Sequence, residues 1–392
     1  MGTDKYNIFW KTFLSTLFLF LLAGAGFASG YLFHAHQFPG QSFPVLNEAY
    51  QLLIDNGLVE PPADPALEYG MIRGMLQEYG EPHTIFLDPP QHELSTDDLE
   101  GKYGGIGVQI NKESQGNWVL FPFAGSPAQK AGIQEGDRLL AVDDLLITPN
   151  TPSEQIQAQL RGAVRQVVRV SIGRAPDFST QEFNIRREEI SLPSVTWHLA
   201  LDQPQVGVIK VNLIAASTAG EIERAAADLQ ERGAQAFILD LRDNPGGLLD
   251  VGIEIARLFL KEGVIIEQQY RDREAQTYDV EQPGKFSDLP LAVLINGGSA
   301  SAAEIAAGAI QQHERAPLLG QPSYGKDTVQ LVFELRDKSS LHVTAARWRI
   351  PGLNPPIKDH GLQPDILVDP PQDASGYDLV LKAAIQVLLE SL

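Results

Sequence analysis

The run Leu289-Pro290-Leu291-Ala292-Val293-Leu294-Ile295 carries no charge and leads into Asn296-Gly297-Gly298-Ser299-Ala300-Ser301, then Ala302-Ala303-Glu304-Ile305-Ala306-Ala307-Gly308-Ala309-Ile310. An apolar run of this length reads as a buried strand, the paired glycines as a tight turn, and the small-residue stretch as a helix. That order places Ser301 at a strand-to-helix turn, where the N–H groups of the first helical turn lack intrahelical partners and can receive an oxyanion. Ser301-x-x-Glu304 also fits a capping box, which many helices without any chemistry use. The surroundings favour a site. No bulky side chain lies between Asn296 and Ala303, which leaves room for a substrate backbone, and Lys326 follows in Ser323-Tyr324-Gly325-Lys326. A serine at such a turn with a lysine in a Gly-flanked loop suggests a serine hydrolase whose base is lysine.

Strands and helices alternate on the N-terminal side of this turn. Stretches 205–211 and 236–241 read as strands, and 218–232 and 249–260 as helices. This alternation indicates an α/β core with some parallel pairing. The connection Arg242-Asp243-Asn244-Pro245-Gly246-Gly247 leaves the carboxyl end of a buried strand, where α/β sites lie, and is expected on the same sheet edge as Ser301. Between Tyr103 and Glu188 the pattern is shorter: strands at 104–110, 118–123, 138–142 and 167–172, with helices at 127–132 and 152–160. Earlier still, 45–58 and 67–79 show helical spacing around Pro61, Pro62 and Pro65, and a Pro-rich turn region from Glu81 to Pro90 leads to Gly101.

Thirty basic against fifty acidic residues give a formal charge of −20, which argues against nucleic acid as a ligand. The absence of cysteine excludes disulfides, a thiol nucleophile and Cys-ligated metals, and the eight histidines show no close metal-binding spacing, so no cofactor is expected. The N-terminus differs in kind. Thr12 to Phe33 is 22 uncharged residues rich in Phe, Leu, Ala and Gly, and about 20 such residues span a bilayer as a helix. Lys5 and Lys11 precede it, which puts 1–11 in the cytoplasm and the remainder outside. A cleavable signal peptide is the rival reading, through Ala23-Gly24-Ala25 or Ala28-Ser29-Gly30; it would release a secreted protein.

Two resemblances emerge from longer motifs. Gly104-Gly105-Ile106-Gly107, followed by Gly125-Ser126-Pro127-Ala128-x-x-Ala131-Gly132-x-x-x-Gly136-Asp137-x-Leu139-Leu140-Ala141-Val142, resembles a PDZ domain. The first four residues stand where that family binds a terminal carboxylate, and the strand after them can add a peptide as a further strand. Leu239 to Gly247, Ser299 to Ile305, Tyr324-Gly325-Lys326-x-x-Val329-Gln330 and Gly361-Leu362-Gln363-Pro364-Asp365 together resemble the carboxyl-terminal processing peptidases, or tail-specific proteases, from about residue 45 to the end.

The peptidase resemblance implies Ser301 as nucleophile, Lys326 as general base, Gln330 as the residue orienting it, and an oxyanion hole from N–H groups of Ala302 and of Gly246 or Gly247. It implies an α+β multidomain fold: a membrane anchor in 1–36, a helical segment in 37–92, a PDZ domain in 93–188 and a mixed α/β peptidase core of the ClpP/crotonase-like type in 189–392. Its substrates would be proteins or peptides with free, apolar C-termini, and a homo-oligomer or an adaptor protein stays open. Two positions depart from the family pattern: Asp327 replaces the glycine after the lysine, and Ala163-Val164 follows Arg161-Gly162. Ser299 is a competing nucleophile with the wrong spacing to Lys326. Three other readings compete: an inactive membrane-anchored PDZ scaffold, a crotonase-type acyl-CoA hydratase, and a Ser-His-Asp hydrolase using His313, His342 or His360. The last lacks a Gly-x-Ser-x-Gly elbow at Ser301.

Overall fold

A computed structural model describes residues 43–62, 65–358, 360–369, 371–372, 376 and 378–392. The apolar segment 12–33 lies outside the described residues. Among those described, no helix is long and apolar enough to cross a membrane. The described residues fall into two compact units, divided between Gly70 and Met71. In the first, the helix Pro44–Asn56 has no buried residue.

The centre of the second unit is a six-stranded sheet in the order Val195–Ala200, Gln203–Val211, Ala236–Asp240, Leu291–Ile295, Leu318–Gly320, Ile366–Leu367. The first pair is antiparallel and the rest are parallel. Ala236–Asp240 and Leu291–Ile295 are buried at every residue, as continuous apolar strands covered on both faces should be. Alternation divides their side chains. Ile209, Leu239 and Val293 pack with residues of the helices Thr218–Glu231, Leu249–Phe259 and Ala302–Gln312, while Val208, Ile238 and Leu294 pack with Val380, Ala384 and Leu388 of Leu379–Ser391. Both Asp243–Gly247 and Ser301 therefore leave the carboxyl ends of neighbouring parallel strands.

A second sheet runs Ile85–Leu87, Ser340–Arg349, Val264–Tyr270, Gln276–Asp279, with Thr328–Glu334 along the opposite edge of Ser340–Arg349. Residues 108–186 form a sheet in the order Val108–Lys112, Trp118–Pro122, Asp137–Val142, Val167–Arg174, Ser179–Arg186 around its own core of Ile106, Leu120, Ile156, Val170 and neighbours. The chain enters this body through Lys102–Gly105 and leaves through Glu188–Ser191, which pair antiparallel with each other.

In the Pro-rich stretch read as a turn region, residues 81–84 do form a turn, but the strand Ile85–Leu87 and the helix Pro89–Glu100 follow it directly. Prolines at the first helical positions break no intrahelical bond, and the pair Pro89-Pro90 sits there. Asp88 caps the start by accepting from the Gln91 N–H at 3.2 Å, and Gly101 closes the end at φ 75°.

Candidate active site

Ser301 occupies the turn between Leu291–Ile295 and Ala302–Gln312 with φ 55° and ψ −118°. Serine rarely adopts this conformation, and strain of about 1–3 kcal/mol persists only where the surroundings impose it. Here they do. The Ala300 N–H donates to Asn244 O at 2.9 Å, and the fully buried Asn244 is fixed by donating its side-chain amide to Val211 O at 2.8 Å. Asn296 Oδ1 accepts from the Asp243 and Gly298 N–H groups at 2.9 and 3.0 Å. Ser299, the competing nucleophile, is fully buried: its hydroxyl donates to Leu241 O at 2.8 Å and accepts from the Asn296 N–H at 3.0 Å. It is a brace for the turn.

Glu304, read as a capping-box residue, does more than cap. It is fully buried, and one oxygen accepts from the Ser301 N–H at 2.8 Å and the Lys326 N–H at 2.9 Å. The other accepts from Ser323 Oγ and the Gly325 N–H, each at 2.6 Å. A single carboxylate thus ties the backbone of Ser301 to the backbone of Lys326 across 25 residues of chain. Burial raises the proton affinity of this carboxyl, and the four donors oppose it.

The Lys326 amine is half-buried and donates to Gln330 Oε1 at 2.9 Å. Among the described residues, Ser301 Oγ is not one of its hydrogen-bond partners. Burial pushes the amine below the ordinary lysine range, while the carboxylates of Glu81 and Glu304 pull in the other direction. Asp327 turns away: both of its oxygens accept from Arg347 Nη1, at 2.9 and 2.7 Å. Gln330 is itself held, since its Nε2 donates to His83 O. Nothing in the motif spacing marked Glu81 or His83, because their placement depends on pairing between Ile85–Leu87 and Ser340–Arg349.

Gly246 and Gly247 lie against Ser301. A Cβ on Gly246 would stand 2.9 Å from Ser301 Cβ, and one on Gly247 2.0 Å from Ile214 O. Their φ values of 97° and 144° also favour glycine. The Gly246 N–H donates to Asn244 Oδ1 at 2.8 Å, whereas the Gly247 and Ala302 N–H groups have no acceptor among the described residues. Gly247→Ala should displace this turn and lower kcat by about 10²-fold or more, the scale of losing one oxyanion donor. Steady-state kinetics on any cleaved peptide would check it, and a loss below threefold would show that the turn is not engaged.

Gly104 and Gly105 are paired with Glu189 and Glu188 inside the strand Lys102–Gly105, and Ile106 and Gly107 make the turn from it into Val108–Lys112. Among the described residues, Val108–Lys112 is an edge strand, paired as a strand only with Trp118–Pro122. Beside it lies a cavity of about 320 Å³ whose walls include Ile106, Gly107, Val108, Ile110, Leu160 and Arg161. The Arg161 guanidinium lies 4.1 Å from the Tyr103 ring centroid and bonds Asp97 at 3.0 Å.

The histidines proposed for a triad do not assemble one. His313 bonds Val264 O at 2.8 Å, His342 bonds Ser340 Oγ at 3.1 Å, and none of the three hydrogen-bonds Ser301 among the described residues.

Comparison with known proteins bears on the family of the chain. A model described as peptidase family S41 matches residues 205–368, and a PDZ-domain model matches residues 124–174. The chain is 35% identical over 367 residues to a carboxyl-terminal-processing protease of Synechocystis sp., covering 89% of this chain and 85% of that protein. It is 36% identical over 335 residues to a carboxyl-terminal-processing protease of Picosynechococcus sp., covering 82% and 79%. Among solved structures it is similar to a photosystem II D1 C-terminal processing protease, with 28% identity, 86% and 90% coverage and a TM-score of 0.47.

Proposed function

We propose, for a chain that belongs to the carboxyl-terminal-processing proteases and so is a PDZ-containing serine endopeptidase acting on protein or peptide substrates, that hydrolysis runs through Ser301 as nucleophile and Lys326 as general base. The observation that carries this reading is the Glu304 clamp, which joins the backbones of a strained serine and a half-buried lysine. Neutral Lys326 takes the Ser301 proton as the hydroxyl attacks the carbonyl, and the tetrahedral oxyanion is met by the Gly247 and Ala302 N–H groups. The ammonium then protonates the leaving amine, and water resolves the acyl-enzyme by the reverse use of the same amine. Gln330 orients the amine without adding charge, since a carboxylate there would favour the protonated form. In the resting site Lys326 bonds Gln330, and its bond to Ser301 forms with substrate, as catalytic hydrogen bonds commonly do.

In this reading the PDZ body is 93–188, the core 189–392 is crotonase-like, and the PDZ body captures substrate tails. An extended tail adds to the free edge of Val108–Lys112, its last side chain enters the cavity against Ile106 and Leu160, and its carboxylate meets the turn Ile106-Gly107. The segment 12–33 anchors the chain with its catalytic part outside the cytoplasm.

The test is cleavage of an unfolded protein with an apolar C-terminus by wild type and Ser301→Ala, with the tail free or amidated. Wild type should cleave, Ser301→Ala should not, and amidation should raise KM by about tenfold, from loss of one charge-assisted contact. Equal cleavage by both enzymes removes Ser301 as nucleophile, and indifference to amidation removes the tail site.

A further inference from the structure

The strand Ile85–Leu87 pairs antiparallel with Ser340–Arg349, aligning Ile85 with His342, and on the other edge of that strand Gln330 is aligned with Thr344. This register brings the short loop before Ile85 to the side chain that holds the lysine. Glu81 Oε2 accepts from Thr84 Oγ1 at 2.7 Å and from the His83 N–H at 3.2 Å, and Thr84 Oγ1 in turn accepts from the Thr344 N–H at 3.2 Å. The loop is thereby folded with His83 O facing Gln330 Nε2. Because the amide nitrogen is committed to that carbonyl, its oxygen is the atom left for Lys326, 2.9 Å away.

Charge points to the same loop. Three titratable groups act on or against the amine, Glu304, His342 and Glu81, and Asp327 beside it is turned away. Glu304 has its oxygens filled by four donors, and Asp327 is paired with Arg347. His342 on Ser340–Arg349 is disfavoured as a cation by burial first, then by His92 and Lys326. Glu81 has no arginine or lysine within ion-pair distance among the described residues. Burial opposes its charged form, but the hydrogen-bond donors around it, Thr84 and the loop backbone among them, hold the carboxyl below the ordinary glutamate range.

We propose that Glu81 is a positioning residue for the lysine base: it folds residues 81–84 so that His83 O orients Gln330 toward Lys326. This rests on the reading of Lys326 as the base. The Glu81 carboxylate also favours the ammonium form of Lys326, in opposition to burial.

The test is an NMR titration of the full chain carrying 13Cε,15Nζ-lysine, with the Lys326 signal identified by its loss in Lys326→Met. The pH dependence of kcat/KM is measured in parallel, with Ser301→Ala as control. Glu81→Gln keeps an oxygen for Thr84 and His83 but removes the charge, so Lys326 should titrate at lower pH and the ascending limb of kcat/KM should move with it. Glu81→Asp keeps the charge and should leave the limb near wild type. An unmoved Lys326 titration in folded Glu81→Gln, or an equal displacement in both variants, overturns the proposal. Undiminished cleavage by Ser301→Ala would instead remove the serine-lysine reading, while the titration still decides whether Glu81 acts on the amine.

Discussion

Lys326→Ala is expected to lower kcat by about 10⁴-fold, and the double variant with Ser301→Ala should be no slower than either single one. Groups that act as one unit in a proton transfer are not additive, because removing either leaves only binding and oxyanion contributions. Stability should hardly change. The substitution removes one hydrogen bond from Gln330, a difference of about 1 kcal/mol, so thermal unfolding should move by only a few degrees. Lys326→Arg should not restore activity, since a guanidinium does not release its proton at any working pH. Single-turnover cleavage of a peptide with a free tail separates these outcomes from a binding defect. If Lys326→Ala kept activity within tenfold of wild type, another base would have to serve, and His342 would be the group to replace next.

Much of the peptidase core was legible because parallel strands buried on both faces leave uninterrupted apolar runs. Ala236–Asp240 and Leu291–Ile295 are such runs, and the turns at their carboxyl ends were placed on one edge for that reason. The hairpin Thr328–Glu334 with Ser340–Arg349 was not read as strands. Leu331, Val332 and Phe333 are all exposed on its unpaired edge, so no alternation of buried and polar residues marks it. Missing that hairpin hid a partner of Gln330, since His83 reaches it only through strand register. The helix Pro89–Glu100 was obscured by its prolines, which suit a helix start as well as a turn. Glu304 was visible as the fourth position of a capping box. Its contacts with Ser323, Gly325 and Lys326 come from a loop about 20 residues later, and local sequence carries no trace of them.

Those contacts make Glu304 the position where a substitution should damage fold and chemistry together. Glu304→Ala leaves three backbone N–H groups and the Ser323 hydroxyl facing a cavity in the interior. Each buried group left unpaired costs about 1–3 kcal/mol, so the loss is of order 4 kcal/mol or more even if water enters the space. Glu304→Gln tests the mechanism more sharply. Each carboxylate oxygen now accepts from two donors, whereas an amide offers one oxygen and one NH₂, so two donors would confront a third. The isosteric variant should therefore lose about 2–4 kcal/mol, lowering Tm by roughly 3–6 °C, and its kcat should fall by at least about 10²-fold as Ser301 and Lys326 lose their common anchor. Thermal unfolding and kcat measured on one preparation would decide it. Wild-type Tm and kcat in Glu304→Gln would show that the serine turn and the lysine loop hold their places independently, and the clamp would then be an ordinary helix cap.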